Sequence, residues 1–341
     1  MTARERRRSN WLRRSVFAIA ALALAFVVLA PLTSTDAAQQ AGLPLLTDKL
    51  WFRIATTVAM FIVMASGWNI IGGLTGYASF GNIAFFGLGA YTVGVLVANL
   101  HWPFALALIV APAVAALFAL IIGLPLLRLR GHYFAVATLG VGVAVGEVVN
   151  NIEPLGATIG ITLPIVRSDL IFFYLMVGAA VLAVLTTWVI LRTRFGYGLL
   201  AIRENEEAAA VIGVNTTFYK VGAFCIAAAL TGLAGGIFAQ WNSFINQENV
   251  FALSDNVQMI LMAVLGGAGT VLGPVAGAIS LELIIQSLAG GGSGSVYSQI
   301  GLGLLLVICV IFIPRGVIDF FGGRSRLSLR YLRQTLRDTS A

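Results

Sequence analysis

The chain is short of charge, histidine and cysteine and has no nucleotide-binding loop, and each shortage excludes a class of protein. Only 10% of its 341 residues are charged, against 59% hydrophobic, whereas an ordinary soluble domain carries about 25% charge. A water-soluble core of this length could not hide so much apolar surface, so lipid must cover much of it. The two histidines, His101 and His132, fall near opposite ends of an apolar run, which leaves no metal pair or Ser-His dyad between them and disfavours a membrane enzyme. Both cysteines, Cys225 and Cys309, sit inside apolar runs and read as small buried hydrophobes, a disulfide or metal pair being the lesser alternative. No Gly-x-x-x-x-Gly-Lys-Ser/Thr loop is present, so if ATP drives this protein the nucleotide binds another chain.

What the chain has in quantity is long apolar runs. They recur at about twenty residues, enough to cross about 30 Å of hydrocarbon as helix. Runs such as 18–30 are apolar on every face, without the period-two alternation of a membrane β-barrel. The fold class is therefore all-α, a polytopic transmembrane helical bundle. Basic residues cluster at Arg4–Arg14, Arg128/Arg130, Arg192–Arg203 and Arg315–Arg337, each just beyond an apolar run. That distribution follows the positive-inside rule and accounts for the net charge of +7 without nucleic acid. Ten spans satisfy it with both termini in the cytoplasm. They lie near 15–32, 52–71, 79–99, 103–126, 131–150, 170–191 and 218–240, then as a short helix, tight turn and second helix across 257–288, and last near 297–313. The chain divides into a basic N-terminus (1–14), a transmembrane domain (15–314) with a cytoplasmic loop at 192–217, and a basic tail (315–341). The first span is long for a signal-peptide core and is read as retained, with cleavage after the Ala-rich Asp36-Ala37-Ala38 as the alternative.

The 38 glycines concentrate in a few places. Gly232/Gly236 and Gly142/Gly146 suit close helix packing. Ile71-Gly72-Gly73-Leu74 and Leu265-Gly266-Gly267-Ala268 read as matching breaks on one side of the membrane, of the kind that lines a transport path in paired halves. Ionisable groups within spans are functional candidates by default: Glu147, with Asn150 and Asn151 one turn on, and Glu282. Arg53 reads as a helix-end group. Asn69, Asn82 and Gln258 are further polar candidates for the path.

Three of the fourteen acids crowd into one cytoplasmic loop, Arg203-Glu204-Asn205-Glu206-Glu207-Ala208-Ala209-Ala210-Val211-Ile212-Gly213. Asn205 or Glu204 can cap a short helix whose first turn carries Glu206 and Glu207 toward the positive end of the dipole. The alanines favour helix, and Gly213 can end it in a left-handed conformation, with Asn215 in the exit. The product is a two-turn helix on the cytoplasmic face, with small residues that a partner cleft could accept. An ordinary solvated loop helix is the plainer alternative.

Glu207-Ala208-Ala209, three residues and Gly213 resemble the Glu-Ala-Ala-x-x-x-Gly loop of ABC-importer permeases. The longer stretch Arg194-Phe195-Gly196-Tyr197-Gly198-Leu199-Leu200-Ala201-Ile202-Arg203-Glu204-Asn205 is similar to the M-type permease of branched-chain amino acid importers. So are Gly81-Asn82-Ile83-Ala84-Phe85-Phe86-Gly87, Arg130-Gly131-His132-Tyr133-Phe134-Ala135 and Ala263-Val264-Leu265-Gly266-Gly267-Ala268-Gly269-Thr270. The outer loop Thr158-Ile159-Gly160-Ile161 matches the family only in part, and the Ile-x-Leu-Pro end of the broader importer loop is absent. The resemblance implies a permease subunit in a bacterial inner membrane that binds no cofactor itself. It implies ATP and Mg on two partner ATPase subunits, a homologous second permease and an extracytoplasmic solute-binding protein. ATPase coupling would fall to Arg203, Glu204, Glu207, Ala208, Ala209 and Gly213. The solute path would pass Asn69, Gly72, Gly73, Asn82, Glu147, Asn150, Gln258, Gly266 and Gly267. Branched-chain amino acids are the implied cargo, with other amino acids, amides or urea also compatible. The rival reading is a stand-alone secondary transporter or channel that uses Glu147 or Glu282 as an ion relay.

Overall fold

The computed structural model describes residues 49–166 and 168–289. The predicted spans near 15–32 and 297–313, both basic termini and Cys309 lie outside them. Helix α1 (Lys49–Trp68) continues through a π-helical turn, Asn69–Gly73, and α2 (Asn82–Gly94) through a second one, Val95–Asn99. Then come α3 (Phe104–Leu126), α4 (His132–Asn150) and α5 (Asp169–Arg192). Two shorter helices follow, α6 (Arg194–Glu204) and α7 (Glu206–Val211), before α8 (Thr216–Asn242). The described part closes with α9 (Gln247–Val250), α10 (Leu253–Gly267) and α11 (Gly273–Ala289). Seven described helical segments are long and apolar enough to cross a membrane, and Gly273–Gln286 is a shorter apolar helix. These match the second to ninth predicted spans in order and in approximate bounds.

Helix α8 is the axis of the bundle and packs against α1, α2, α3 and α5. In lipid nothing drives helices together through water exclusion, so contact depends on how closely backbones approach. Along α3 the residues Ala107, Ala111, Ala115, Ala119 and Gly123 recur every fourth position and are all buried, which puts one small-residue stripe on one face. Gly232 of α8 meets that stripe: a Cβ there would lie 2.5 Å from the Ala115 Cβ. On its α2 side, a Cβ at Gly89 would fall on the Gly232 carbonyl, and one at Gly235 on the Phe86 carbonyl. The expected packing role of Gly232 and Gly236 is therefore met, whereas Gly142 and Gly146 make only ordinary contacts. The opposite face of α3 exposes Leu106, Ile109, Leu117, Ile121 and Leu124, an aliphatic surface suited to acyl chains.

The two ends of the bundle differ. At one end β1 (Ile161–Thr162) and β2 (Phe244–Ile245) form an antiparallel pair with Ile161 opposite Ile245. At the other end lie Arg128, Arg130, the α6–α7 segment and the amino end of α8. The chain re-enters this basic end twice, and both returns correct the expected glycine breaks. The first remains helical through Gly72 and Gly73 and leaves helix only at Gly76, with φ +77°. Likewise α10 includes Gly266 and Gly267, and the turn runs through Ala268–Leu272. The glycine pairs are the last turns of helices rather than interruptions of them.

Backbone contact at Gly89 and open space at Gly140, where a Cβ would meet nothing within 4 Å, give opposite expectations. Gly89→Val should destabilise the detergent-solubilised subunit by about 2 kcal/mol or more by overpacking. Gly140→Ala should be neutral or stabilising by up to about 1 kcal/mol, since alanine favours helix. Thermal unfolding of the two variants beside the wild type checks this.

Candidate functional site at the basic end

The charged loop folds into an elbow of two helices, one more than expected. Asn205 is extended (φ −162°, ψ 110°) and separates α6 from α7. Its Oδ1 accepts from the Ala208 N–H at 3.0 Å, so Asn205 rather than Glu204 is the cap. Glu206 and Glu207 occupy the first turn of α7, where carboxylates suit the helix dipole. The exit is a Schellman turn: the Val214 N–H reaches the Ala209 carbonyl, and the Gly213 N–H the Ala210 carbonyl, both at 3.0 Å. Gly213 has φ +91°, a conformation that costs glycine nothing. Asn215 then caps α8 through the Phe218 N–H at 3.1 Å.

Neighbouring acids in α7 have unlike surroundings. Glu206 accepts from Lys220 Nζ at 2.7 Å and from the Tyr77 hydroxyl. The Lys220 side chain is 5% exposed and that of Glu206 17%. Lys220 also donates to the Leu127 carbonyl at 2.8 Å and to the Tyr77 oxygen at 3.1 Å, which uses all three of its protons. Burial alone would raise the Glu206 pKa, but the hydrogen bonds from Lys220 and Tyr77 and the lysine charge outweigh it and hold the carboxyl below its usual range. Burial and the adjacent carboxylate push the Tyr77 phenol well above its ordinary value. Glu207 instead meets Arg130 at 2.7 Å with both side chains largely in solvent, a pair that water screens and that adds little to stability.

The elbow therefore has an inner and an outer face. Ala209 is 2% exposed and packs inward, so it is not among the exposed small residues of the elbow. Ala208, Ala210 and Gly213 are exposed, and beside them Val211 and Ile212 stand 87% and 76% exposed.

Arg203, in the last turn of α6, is exposed and reaches the end of the first chain return. Its Nη1 donates to the Gly73 carbonyl at 2.7 Å. Asn69 binds the two chain returns to each other: its Oδ1 accepts from the Gly269 N–H at 2.7 Å, and its Nδ2 donates to the Thr270 carbonyl at 2.9 Å. The path candidates Asn69, Gly72, Gly73, Gly266 and Gly267 thus come together. Asn82 is fully buried at the start of α2, and neither its amide nitrogen nor its oxygen has a partner among the described residues. Gln258 is half-buried on α10.

Glu147 and Asn150 belong elsewhere. Glu147 is exposed at the end of α4 and accepts from Gln247 Nε2 at 3.3 Å. Asn150 is half-buried in the last turn of α4. Glu282 is 3% exposed and bonded to Gln286 at 2.9 Å. Among the described residues no group of three or more His, Cys, Asp or Glu could hold a metal ion. Tyr77 and Lys220 were not singled out by sequence. Lys220 had a usable signal, being one of only two lysines in the chain and lying at the edge of an apolar run.

Removing one partner of a buried ion pair leaves an uncompensated charge, so Glu206→Ala should cost about 3 kcal/mol, and a Glu206→Leu/Lys220→Met double variant should recover most of it. Because the folded Glu206 pKa is depressed, its contribution is complete above the ordinary carboxylate range and is lost as pH falls through the depressed value. Glu206→Gln should remove that part of the acid dependence in a pH series of thermal unfolding.

A model of the family described as "Branched-chain amino acid transport system / permease component" matches residues 50–310. The high-affinity branched-chain amino acid transport system permease protein LivM of Salmonella typhimurium is 31% identical over 309 residues, covering 81% of this chain and 71% of that protein. LivM of Escherichia coli is 30% identical over 308 residues with the same coverage. The autoinducer 2 import system permease protein LsrC of Salmonella paratyphi B is 30% identical over 136 residues, 39% of each chain. No solved structure matches the chain. With residues 50–310 matched and two relatives aligned over most of both lengths, the chain belongs to the branched-chain amino acid transport system permease family.

Proposed function

We propose that the chain is the transmembrane permease subunit of an ATP-driven importer of leucine, isoleucine and valine in a bacterial inner membrane, with both termini cytoplasmic. It works with two ATPase subunits that bind ATP and Mg, a homologous second permease and an extracytoplasmic solute-binding protein. The observation that carries this reading is the outer face of α7. Val211 and Ile212 stand almost fully exposed at the basic end, on a helix whose inner face is held by Glu206, Lys220 and Ala209. An apolar tip on a firmly anchored aqueous helix fits insertion into a partner cleft. The cargo is that named for the LivM relatives, branched-chain amino acids.

Contrast between two exposed helix faces supports a second permease. The outer face of α3 is aliphatic, as lipid requires. That of α4 carries Val136, Gly140, Val143, Ala144 and Glu147, and a carboxylate with small residues is costly toward acyl chains but suits a protein surface or a wet path. The solute then passes between this face and the second permease.

Val211→Asp/Ile212→Asp should reduce recovery of the ATPase subunits on the tagged permease by about tenfold or more, the scale set by losing a central apolar anchor. Membrane insertion and thermal stability should stay unchanged. Full recovery of the ATPases, or uptake that persists without them and is abolished by Glu147→Gln or Glu282→Gln, would favour the stand-alone transporter instead.

A further inference from the structure

Arg203 lies against both chain returns, the first of which Glu206 also reaches through Tyr77. Its guanidinium holds the Gly73 carbonyl at 2.7 Å. It also occupies the space beside Gly269, whose φ is +84° and where any Cβ would run into Arg203 Nη1. A Cβ at Gly76, φ +77°, would lie 3.4 Å from Arg203 Cγ. One arginine side chain is therefore fitted between the turn after α1 and the turn after α10, and the lack of a side chain at Gly269 leaves room for it.

The chemistry of that spot explains the choice of residue. The segment from α1 and helix α10 both finish here, and the last carbonyls of a helix lack intrahelical donors and carry the negative end of its dipole. A cation there meets the negative end of both helices, and Arg203 donates to the carbonyl of the first, Gly73. Arginine supplies a planar fork that stays charged in every accessible state. Asn69 closes the arrangement by joining the first helix end to Gly269 and Thr270. The turns are thus tied to each other by Asn69, the first is tied to the elbow by the Arg203 hydrogen bond, and the Arg203 side chain packs beside Gly269 of the second. The other anchor, Glu206–Lys220–Tyr77, ties the elbow to α8 and to the loop carrying Tyr77.

We propose that Arg203 is the positioning residue through which displacement of the α6–α7 elbow is passed to the paired turns Gly73–Gly76 and Gly267–Thr270, so that the cytoplasmic end of the path opens or closes with the ATPase. This rests on the importer reading and adds the route of coupling within it. Without the tie, elbow movement still reaches α5 and α8 through the chain and the Tyr77 loop through Glu206, but the two helix ends remain latched to each other by Asn69.

The test uses the complete importer, with its ATPases and binding protein, in proteoliposomes. Cys225 and Cys309 are replaced by serine, and Ala268→Cys in the second turn reports accessibility to a polar maleimide. In the parent, labelling should differ between nucleotide-free and ATP-trapped states. In Arg203→Met, the ATPases should co-purify undiminished and basal hydrolysis persist, while the leucine moved per ATP falls about tenfold, a typical loss of coupling between sites, and labelling ceases to follow nucleotide. Arg203→Lys, which keeps the charge without the fork, should recover part of both readouts and serves if the methionine variant fails to assemble. Unchanged transport per ATP with nucleotide-sensitive labelling, in whichever variant assembles, overturns the proposal. Failure of the parent permease to bind any ATPase overturns the importer reading itself, which is a different result.

Discussion

Everything at the basic end hangs from the way α8 is held. Its glycines let the α2 backbone and the small-residue stripe of α3 approach so closely that a single added methyl would strike a carbonyl at Gly89 or Gly235. In hydrocarbon such contact is the main source of helix association, because apolar side chains gain nothing by leaving lipid. A helix fixed on several sides cannot tilt freely. Lys220 and the cap Asn215 sit at its amino end, so whatever they hold inherits that rigidity.

From this fixed end the elbow is attached by two links of different character. The link through Glu206, Lys220 and Tyr77 is a largely buried ion pair that fills all three lysine donors, and opening it would strand a charge. The link through Arg203 runs to a carbonyl at the end of another helix and leaves the arginine residue largely exposed. Hydrogen bonds of that kind exchange with water at modest net cost. One link keeps the elbow in register with α8, and the other costs less to open. The paired turns suit such a contact, because helix ends have unpaired carbonyls to offer whereas helix interiors have none.

Sequence alone gave the class, the span order and the short helix after Asn205, because each has a local cause. Span length is set by hydrocarbon thickness, and the cap and exit of α7 are written in Asn205 and Gly213. It failed where the cause lies between distant segments. Helix α6 was missed because Arg194–Glu204 mixes glycine with charge and shows no long apolar stripe; it is helical because Gly196, Gly198 and Leu199 bury against the bundle. That Ala209 packs inward and that Arg203 reaches Gly73 were not legible, because a loop sequence does not say which way a short helix is rolled. The roll is set by Glu206 finding Lys220, fourteen residues on, and Tyr77, 129 residues back. Similarly, the glycine pairs were legible as unusual, but whether a helix stops at them or runs through depends on Asn69 crossing to Gly269, 200 residues away.

Adjacent carboxylates in α7 show how one turn can serve two opposed needs. Successive helix positions are about 100° apart around the axis, so if Glu206 faces the bundle Glu207 cannot. Glu206 is consequently desolvated and committed, and exchanging its partner would mean passing through an unpaired buried charge. Glu207 meets Arg130 in water, where the pair is worth so little that either member can change partners without disturbing the fold. Anchoring and exchange are thus separated by one residue step. The same step places Val211 and Ile212 beyond the anchored turn, exposed and free of any duty in the core. A helix of six residues could not hold itself in water. Its persistence at the basic end is the work of the cap at Asn205, the Schellman exit at Gly213 and the lysine beneath it, so its outer face is left with no structural demand on it.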